Sequence, residues 1–229
     1  LALQPIDVSI EAGSFVSVVG ASGCGKSTLM LMVAGLLATT TGEIRVDGRA
    51  VTRPITDVGI AFQDHLLLDF RTAFENVMLH ADIRGLARAP LEKRARELFA
   101  QLRLEAAMHR YPAQLSGGMR QRVSLIRTLV HDPALILMDE PFGALDALTR
   151  EQMRIDLEKL WLERGQTTMF ITHGISEAVA LADRVVVMTP RPGRVERIIP
   201  IDLPRPRHKA VTSSRAFAAT SRSRTGTST

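Results

Sequence analysis

Short apolar runs alternate along this chain with longer segments in which apolar residues recur every three or four positions. Residues 14–19 are rich in valine and predict a strand. Residues 135–138 are wholly apolar (Leu-Ile-Leu-Met), as expected of a parallel strand buried on both faces. Residues 167–172 and 185–189 are two further, mostly apolar stretches that predict strands. Strands that alternate with helical segments indicate an α/β fold with a mainly parallel sheet.

Helical spacing is clearest in the middle of the chain. In residues 72–110, Leu and Ala recur one helical turn apart, and a further helix follows Ser116 until a proline stops it. We interpret this stretch, about residues 72–132, as a helical subdomain. Residues 43–62 predict short strands joined by turns, and order is expected to decline after Pro190.

The positive charge of the chain lies at its C-terminal end. The whole chain has a formal net charge of +5, but residues 191–229 hold nine Arg or Lys and two acidic residues, a net of +7, so the preceding 190 residues carry −2. Residues 205–229 are rich in Arg, Ser, Thr and Ala and predict a mobile basic tail. A solvated tail is favoured over one near anionic lipid, and no nucleic-acid partner is expected.

Composition indicates neither an oxidising compartment nor a membrane span. Cys24 is the single cysteine, so no disulfide forms within the chain. No apolar run approaches the roughly 20 residues of a membrane-spanning helix, and no leader pattern is present. We expect an intracellular chain that does not itself cross the membrane. Because the sequence begins at Leu1 without methionine, we also expect that a short N-terminal piece is missing.

A glycine-rich loop follows the first predicted strand. Residues 20–27 (Gly-Ala-Ser-Gly-Cys-Gly-Lys-Ser) fit the pattern Gly-x-x-x-x-Gly-Lys-Ser/Thr between a strand and a helix. Glycines let backbone N–H groups turn towards phosphate oxygens, and the helix start adds its positive dipole end. In this motif Lys26 reaches the β- and γ-phosphates, and the Ser27 hydroxyl ligates Mg²⁺. The predicted nucleotide-binding residues are Gly20, Ala21, Ser22, Gly23, Cys24, Gly25, Lys26, Ser27 and Thr28.

Two carboxylates end the apolar strand at residues 135–138. Asp139 is placed to hold Mg²⁺, and Glu140 is placed to polarise the water that attacks the γ-phosphate. A Leu-Ser-Gly-Gly element, whose predicted anion-binding residues are Ser116, Gly117 and Gly118, begins a helix further upstream. Ser116 is a good N-cap, and the glycines leave the helix start open to an anion.

Together, the glycine-rich loop, the Leu-Ser-Gly-Gly element and the Asp-Glu strand end resemble the ATP-binding subunits of ABC transporters. The resemblance covers about residues 1–204, taken as one ABC ATPase domain. It implies a P-loop NTPase core with a mainly parallel sheet, an N-terminal antiparallel β subdomain and a helical subdomain. It also implies ATP and Mg²⁺ as cofactors and ATP hydrolysis as the activity.

The resemblance assigns three further positions. Gln63 matches the family's Q-loop glutamine, which contacts Mg²⁺ and relays movement to the membrane subunit. Asp146 matches the D-loop at the interface of two cassettes, and His173 matches the histidine that senses the γ-phosphate. The implied catalytic residues are thus Glu140, His173 and Gln63, and the implied metal ligands are Ser27, Gln63 and Asp139.

Partners are implied by the same resemblance. Two subunits of this family pair head to tail, so that the Leu-Ser-Gly-Gly element of one closes over ATP held by the other. Transmembrane permease subunits, and indirectly an extracytoplasmic solute-binding protein, complete such a transporter at the cytoplasmic face of the inner membrane. Residues 140–150 and 190–194 look like the cassettes of nitrate, sulfonate and taurine importers, which implies import of a small anionic solute.

Three positions depart from the family's pattern. No aromatic residue precedes the glycine-rich loop where the family stacks adenine, and Phe15 is expected to belong to the core. Asp69 and Phe70 stand where these importers often have Pro-Trp, so the surface that docks the permease differs. Gly174 follows His173 where an acidic residue is usual.

Other phosphate-loop proteins fit less well. ABC ATPases that act on DNA place a long coiled coil before the Leu-Ser-Gly-Gly element, whereas here 90 residues without sustained heptads separate Lys26 from Ser116. Those that act on ribosomes usually carry two cassettes in one chain. A kinase for a small metabolite uses neither the Leu-Ser-Gly-Gly element nor His173.

Overall fold

Six strands form the central sheet of the protein, whose computed structural model describes residues 2–207. In chain order the strands are β1 (Phe15–Gly20), β2 (Arg45–Val46), β3 (Arg49–Ala50), β4 (Val58–Ala61), β5 (Leu135–Asp139), β6 (Thr167–Ile171), β7 (Arg184–Met188) and β8 (Val195–Pro200). The order across the sheet is β4-β5-β6-β1-β7-β8. All neighbours are parallel except β7 and β8, which are antiparallel. Strands β2 and β3 form a separate antiparallel pair.

Helices follow most of the strands. They are α1 (Lys26–Val33), α2 (Ala73–Val77), α3 (Leu79–Arg84), α4 (Arg88–Gln101), α5 (Gly117–Leu129), α6 (Ala147–Arg164) and α7 (Ile175–Leu181), with short 3-10 turns at Glu105–Ala107 and Pro112–Gln114. The regular apolar spacing that predicted α4 lies on its inner face, where Leu91, Ala95 and Leu98 are buried. Between residues 2 and 207, no helix combines the length and apolarity needed to cross a bilayer.

Both faces of the sheet are covered, as its apolar strands require. Alternate residues of β1 belong to different apolar clusters: Phe15 and Val19 pack on one side of the sheet, Val16 and Val18 on the other. Phe15 is fully buried, as expected of a core residue. The predicted fold class, an α/β fold of P-loop type with a mainly parallel sheet, is confirmed.

Strand β8 was not among the strands named from the sequence, where order was expected to decline after Pro190. The strand pairs with β7, and only Ile199 in it is buried, so its sequence lacks the apolar run of a central strand. Its backbone nevertheless covers the hydrogen-bonding groups at the edge of β7.

Residues 201–207 form what we call the C-terminal clamp, which fastens the chain to α6 and α7. The buried Arg207 donates its backbone N–H to Glu158 Oε1 at 2.8 Å and guanidinium hydrogen bonds to carbonyl groups that include those of α7. The Arg205 guanidinium lies 4.3 Å from the centre of the Trp161 ring. The predicted tail, residues 205–229, thus begins inside the described structure, and the rest of it lies outside the described residues.

Candidate functional site

The glycine-rich loop joins β1 to α1, which begins at Lys26. Gly23 and Gly25 have φ angles of +75° and +102°, in the left-handed region that favours glycine. A Cβ atom at Gly25 would also collide with the side chain of Leu3. The loop therefore keeps its curvature only with glycine at these positions, and its backbone N–H groups stay near the start of α1.

Lys26 lies under this loop and is almost fully buried, with 5% of its surface exposed. Its Nζ atom donates hydrogen bonds to the carbonyl oxygens of Gly20 and Ala21, both at 3.1 Å. Carbonyl groups orient the ammonium without neutralising its charge. The loop thus presents a fixed positive charge to an anion bound above it.

Asp139 ends β5 beside the start of α1, where the Ser27 hydroxyl donates a hydrogen bond to its carboxylate. Burial raises the pKa of the Asp139 carboxyl, and the neighbouring charge of Glu140 raises it further. The Ser27 hydrogen bond and the Lys26 charge oppose this rise. A carboxylate and a hydroxyl thus lie together, and both are oxygen ligands of the kind that Mg²⁺ prefers.

Glu140 and His173 come from neighbouring strands, β5 and β6. Glu140 has a φ of +45°, uncommon for a residue other than glycine, and its N–H donates to the Ile171 carbonyl at 2.9 Å. Its Oε2 atom lies 2.9 Å from His173 Nδ1. An ionised Glu140 accepts this bond from the Nδ1–H tautomer of the histidine. The strained backbone and the histidine together fix the direction of the carboxylate.

A cleft of about 450 Å³ lies at the carboxyl edge of the sheet. Asp139 and His173 do not line it themselves but contact the lining residues Ser27 and Glu140. Of the predicted site residues, the following line it: Ser22, Gly23, Gly25, Lys26, Ser27, Thr28, Gln63 and Glu140. The volume suits a small-molecule ligand. Gln63 reaches the cleft because β4, which precedes it, lies beside β5 in the sheet.

The Leu-Ser-Gly-Gly element lies elsewhere. Ser116 caps α5, with its Oγ accepting from the Met119 N–H at 3.3 Å. Asp146 caps α6: its carboxylate accepts hydrogen bonds from the N–H groups of Thr149 and Leu148, and these bonds lower the pKa of the carboxyl. The two caps are neighbours, because a Cβ atom on Gly118 would lie 2.7 Å from Cγ2 of Thr149.

None of the residues Ser116, Gly117, Gly118 and Asp146 lines the cleft formed by the same chain. Ser116 and Gly117 are exposed, and space around the Gly117 Cα is open. The structure thus brings together the loop, the two carboxylates, Gln63 and His173, and leaves the Leu-Ser-Gly-Gly element facing outwards.

Two residues that line the cleft were missed from the sequence. Ala2 and Arg191 are both part of its wall. Arg191 follows β7, the strand next to β1, and ligands of open α/β sheets bind outside the carboxyl ends of strands. That rule could have found Arg191, but only with the order of the strands in hand.

Comparison with known proteins identifies the class. A family model described as ABC transporter matches residues 3–143. The chain is 42% identical over 207 residues to an aliphatic sulfonates import ATP-binding protein of Bacillus licheniformis, covering 90% of this chain and 80% of the relative. It is 45% identical over 204 residues to a taurine import ATP-binding protein of Rhizobium johnstonii, covering 89% and 78%.

Solved structures of ABC cassettes are also similar to this chain. A dimeric bacterial ABC transporter cassette superimposes with a TM-score of 0.77 at 35% identity, over 88% of this chain and 91% of that one. A post-hydrolysis dimer of a cassette bound to ADP and phosphate gives a TM-score of 0.76 at 34% identity, over the same shares of the two chains. This chain belongs to the ABC transporter family. It is an ATP-binding cassette with ATPase activity.

Proposed function

We propose that this chain is the ATP-hydrolysing subunit of an ABC importer for a small solute that is anionic or resembles a sulfonate or nitrate. The observation that carries the catalytic part is Glu140, which lines the same cleft as the buried Lys26 and whose Oε2 atom lies 2.9 Å from His173 Nδ1. The relatives named for sulfonate and taurine import support the import direction and the solute class.

The catalytic roles follow from the geometry of the cleft. Lys26 and the loop N–H groups hold the β- and γ-phosphates. The Glu140 carboxylate, oriented by His173, orients the attacking water and accepts its proton. We propose Ser27, Asp139 and Gln63 as the Mg²⁺ ligands, because Ser27 and Gln63 line the cleft and the Asp139 carboxylate accepts a hydrogen bond from Ser27. The ion would neutralise charge on the phosphate oxygens.

The outward-facing element supports a head-to-tail dimer. Ser116, Gly117 and Gly118 begin an amphipathic helix with its start open to an anion, yet they do not reach the cleft of their own chain. A second cassette would bring its ATP to them, with Asp146 close to the same surface. Two of the solved structures that resemble this chain are dimers.

A transporter needs further subunits. We propose that the dimer lies at the cytoplasmic face of the membrane and is bound there by transmembrane permease subunits, which receive solute from an extracytoplasmic binding protein. The resemblance to a cassette from Clostridium perfringens supports a membrane partner, because that protein is described as part of an ABC transporter complex. The exposed Leu66 and Phe70, which follow Gln63 closely, offer apolar surface beside the cleft.

Replacing Glu140 tests the catalytic role. In Glu140→Gln the carboxylate can no longer accept a proton, so phosphate release should fall about 100-fold or more. Equilibrium binding of ATP should persist. Glu163→Gln, an exposed glutamate on α6, is the control and should leave both measurements unchanged. Phosphate release by Glu140→Gln at the rate of the unmodified chain would exclude this role.

Co-purification tests the transport role. The chain is drawn from gently solubilised native membranes, and the proteins that come with it are identified. A multi-span permease supports the importer, and its binding protein can then be screened with sulfonates, taurine and nitrate. Recovery of ribosomes or DNA-bound proteins alone would overturn the transport role and favour the nucleic-acid alternative, with the ATPase activity intact.

A further inference from the structure

The order of strands arranges the cleft residues in a line. Gln63 follows β4 and Glu140 follows β5, both on one side of β1 and its glycine-rich loop. Arg191 follows β7, on the other side of β1. If the γ-phosphate lies near Glu140, a nucleotide held by the central loop extends its nucleoside towards Arg191. This step rests on the proposed function, which assigns the cleft to ATP.

The loop that carries Arg191 is fixed against the glycine-rich loop. A Cβ atom at Gly193 would collide with the carbonyl oxygen of Cys24, so the two backbones are in direct contact. The Gly193 N–H donates to the Ala2 carbonyl at 2.9 Å, and the Gln4 N–H donates to the Gly193 carbonyl at 2.8 Å. The position of Arg191 beside the cleft is therefore set by backbone packing.

We propose that Arg191 contacts the nucleoside of bound ATP, with its flat guanidinium stacked on the base. Charge for the phosphates is already supplied by Lys26 and the start of α1. Arginine differs from lysine in having a planar, weakly hydrated cation that stacks on aromatic rings.

If Arg191 stacks on the base, its replacement should weaken the binding of ATP and leave the binding of phosphates alone unchanged. Arg191→Ala should weaken ATP binding about 5- to 20-fold, the range expected for loss of a cation–π contact. Binding of inorganic tripolyphosphate, which has no base, should stay unchanged. Arg191→Lys should restore little of the lost ATP affinity, because lysine keeps the positive charge but lacks the planar guanidinium group.

The measurement is calorimetric titration of the full chain with ATP and, separately, with tripolyphosphate. Arg194→Ala is the matched control, since Arg194 is an exposed arginine of the same loop that does not line the cleft. Unchanged ATP affinity in Arg191→Ala would overturn the inference, while loss of binding in Lys26→Ala would still support the ATP site. An equal loss for tripolyphosphate, or full recovery by lysine, would place the guanidinium on the phosphates and exclude stacking. Failure of the unmodified chain to bind ATP would contradict the proposed function, and this inference with it.

Discussion

Buried charge occurs in two regions of this molecule, the glycine-rich loop and the C-terminal clamp, and is handled differently in each. At the loop, the buried Lys26 lines the cleft, and partial burial raises the pKa of Asp139, whose carboxylate accepts a hydrogen bond from the cleft residue Ser27. At the clamp, Glu158 and Arg207 lie in the interior and are held by the protein's own groups. Charge at the first region is oriented towards a ligand, whereas charge at the second fastens the chain to the fold.

The difference teaches that buried charge alone does not mark a functional site. Arg154, Glu158 and Arg207 are as buried as Lys26. What separates the regions is access to the cleft: Lys26 also donates to carbonyl oxygens but lines the cleft, whereas Arg154 and Arg207 donate to groups of the protein and do not line it. Substitutions in the two regions should therefore separate ligand binding from stability.

The largest expected effect is on ligand binding at the loop. Lys26→Ala removes the buried ammonium that faces the phosphates, so ATP affinity should fall about 100-fold or more, as for loss of contacts between charged groups. The free energy of unfolding without nucleotide should fall by no more than about 1–3 kcal/mol, because two hydrogen bonds to carbonyl groups are lost. Titration calorimetry and chemical denaturation measure the two quantities. A large loss of stability would show that the loop lysine also supports the fold.

The clamp should show the opposite response. Glu158→Ala leaves the Arg207 N–H without its acceptor and removes the buried carboxylate that lies 3.9 Å from the guanidinium groups of Arg154 and Arg205, so the free energy of unfolding should fall by about 3–5 kcal/mol. ATP affinity, measured at low temperature where the variant stays folded, should be unchanged. Glu163→Ala, an exposed glutamate on the same helix, is the control and should cost less than about 1 kcal/mol. Loss of ATP affinity by Glu158→Ala under conditions where it is folded would contradict the separation of ligand binding from stability.

Gly193 connects the two regions, since it precedes β8 and touches the glycine-rich loop. Gly193→Ala introduces a methyl group against the Cys24 carbonyl, which as backbone cannot rotate away. We expect the free energy of unfolding to fall by about 2 kcal/mol and ATP affinity to fall as well. Denaturation and calorimetry on the same preparation check both. Loss of stability with normal ATP affinity would mean that the loop adjusts independently.

The smallest expected effect is on the stability of the nucleotide-free chain when Asp139 is replaced. Its sign is opposite to that of the other changes, because this substitution should stabilise the protein. Burial raises the pKa of this carboxyl in the folded protein, so ionisation costs stability at every pH above the folded pKa and nothing below the ordinary pKa of aspartate. Asp139→Asn should therefore raise the melting temperature of the nucleotide-free chain at pH 7.5. The gain should shrink as pH is lowered towards 4. Melting curves across this range check the sign, and a gain independent of pH would assign it to packing.

Much of the site could be predicted because it depends on local chemistry. The glycine positions, Lys26 and the Asp139–Glu140 strand end are specified by residues close in sequence, and the structure has them on the expected strand ends. The individual roles of these residues stay predictions until the variants are measured. The relation of Ser116 to a second subunit is likewise a prediction.

The C-terminal part could not be predicted in the same way. In the sequence, Arg205 and Arg207 belong to a basic polar stretch, and the six residues of β8 include two charges and a proline. Only the position of α6 and α7 shows that Glu158, about 50 residues earlier, accepts from the Arg207 N–H. A polar residue is stabilised by whichever groups surround it, and its own sequence neighbourhood does not specify them.

The sequence by itself thus determined the α/β class, the glycine-rich loop and the two carboxylates, because backbone turns and strand ends follow from nearby residues. The tertiary structure alone decided which strands are neighbours. That order pairs His173 with Glu140, carries Arg191 to the opposite side of the cleft and anchors the C-terminal clamp. The physical reason is that contacts between distant segments depend on the packing of the whole sheet, which no single segment encodes.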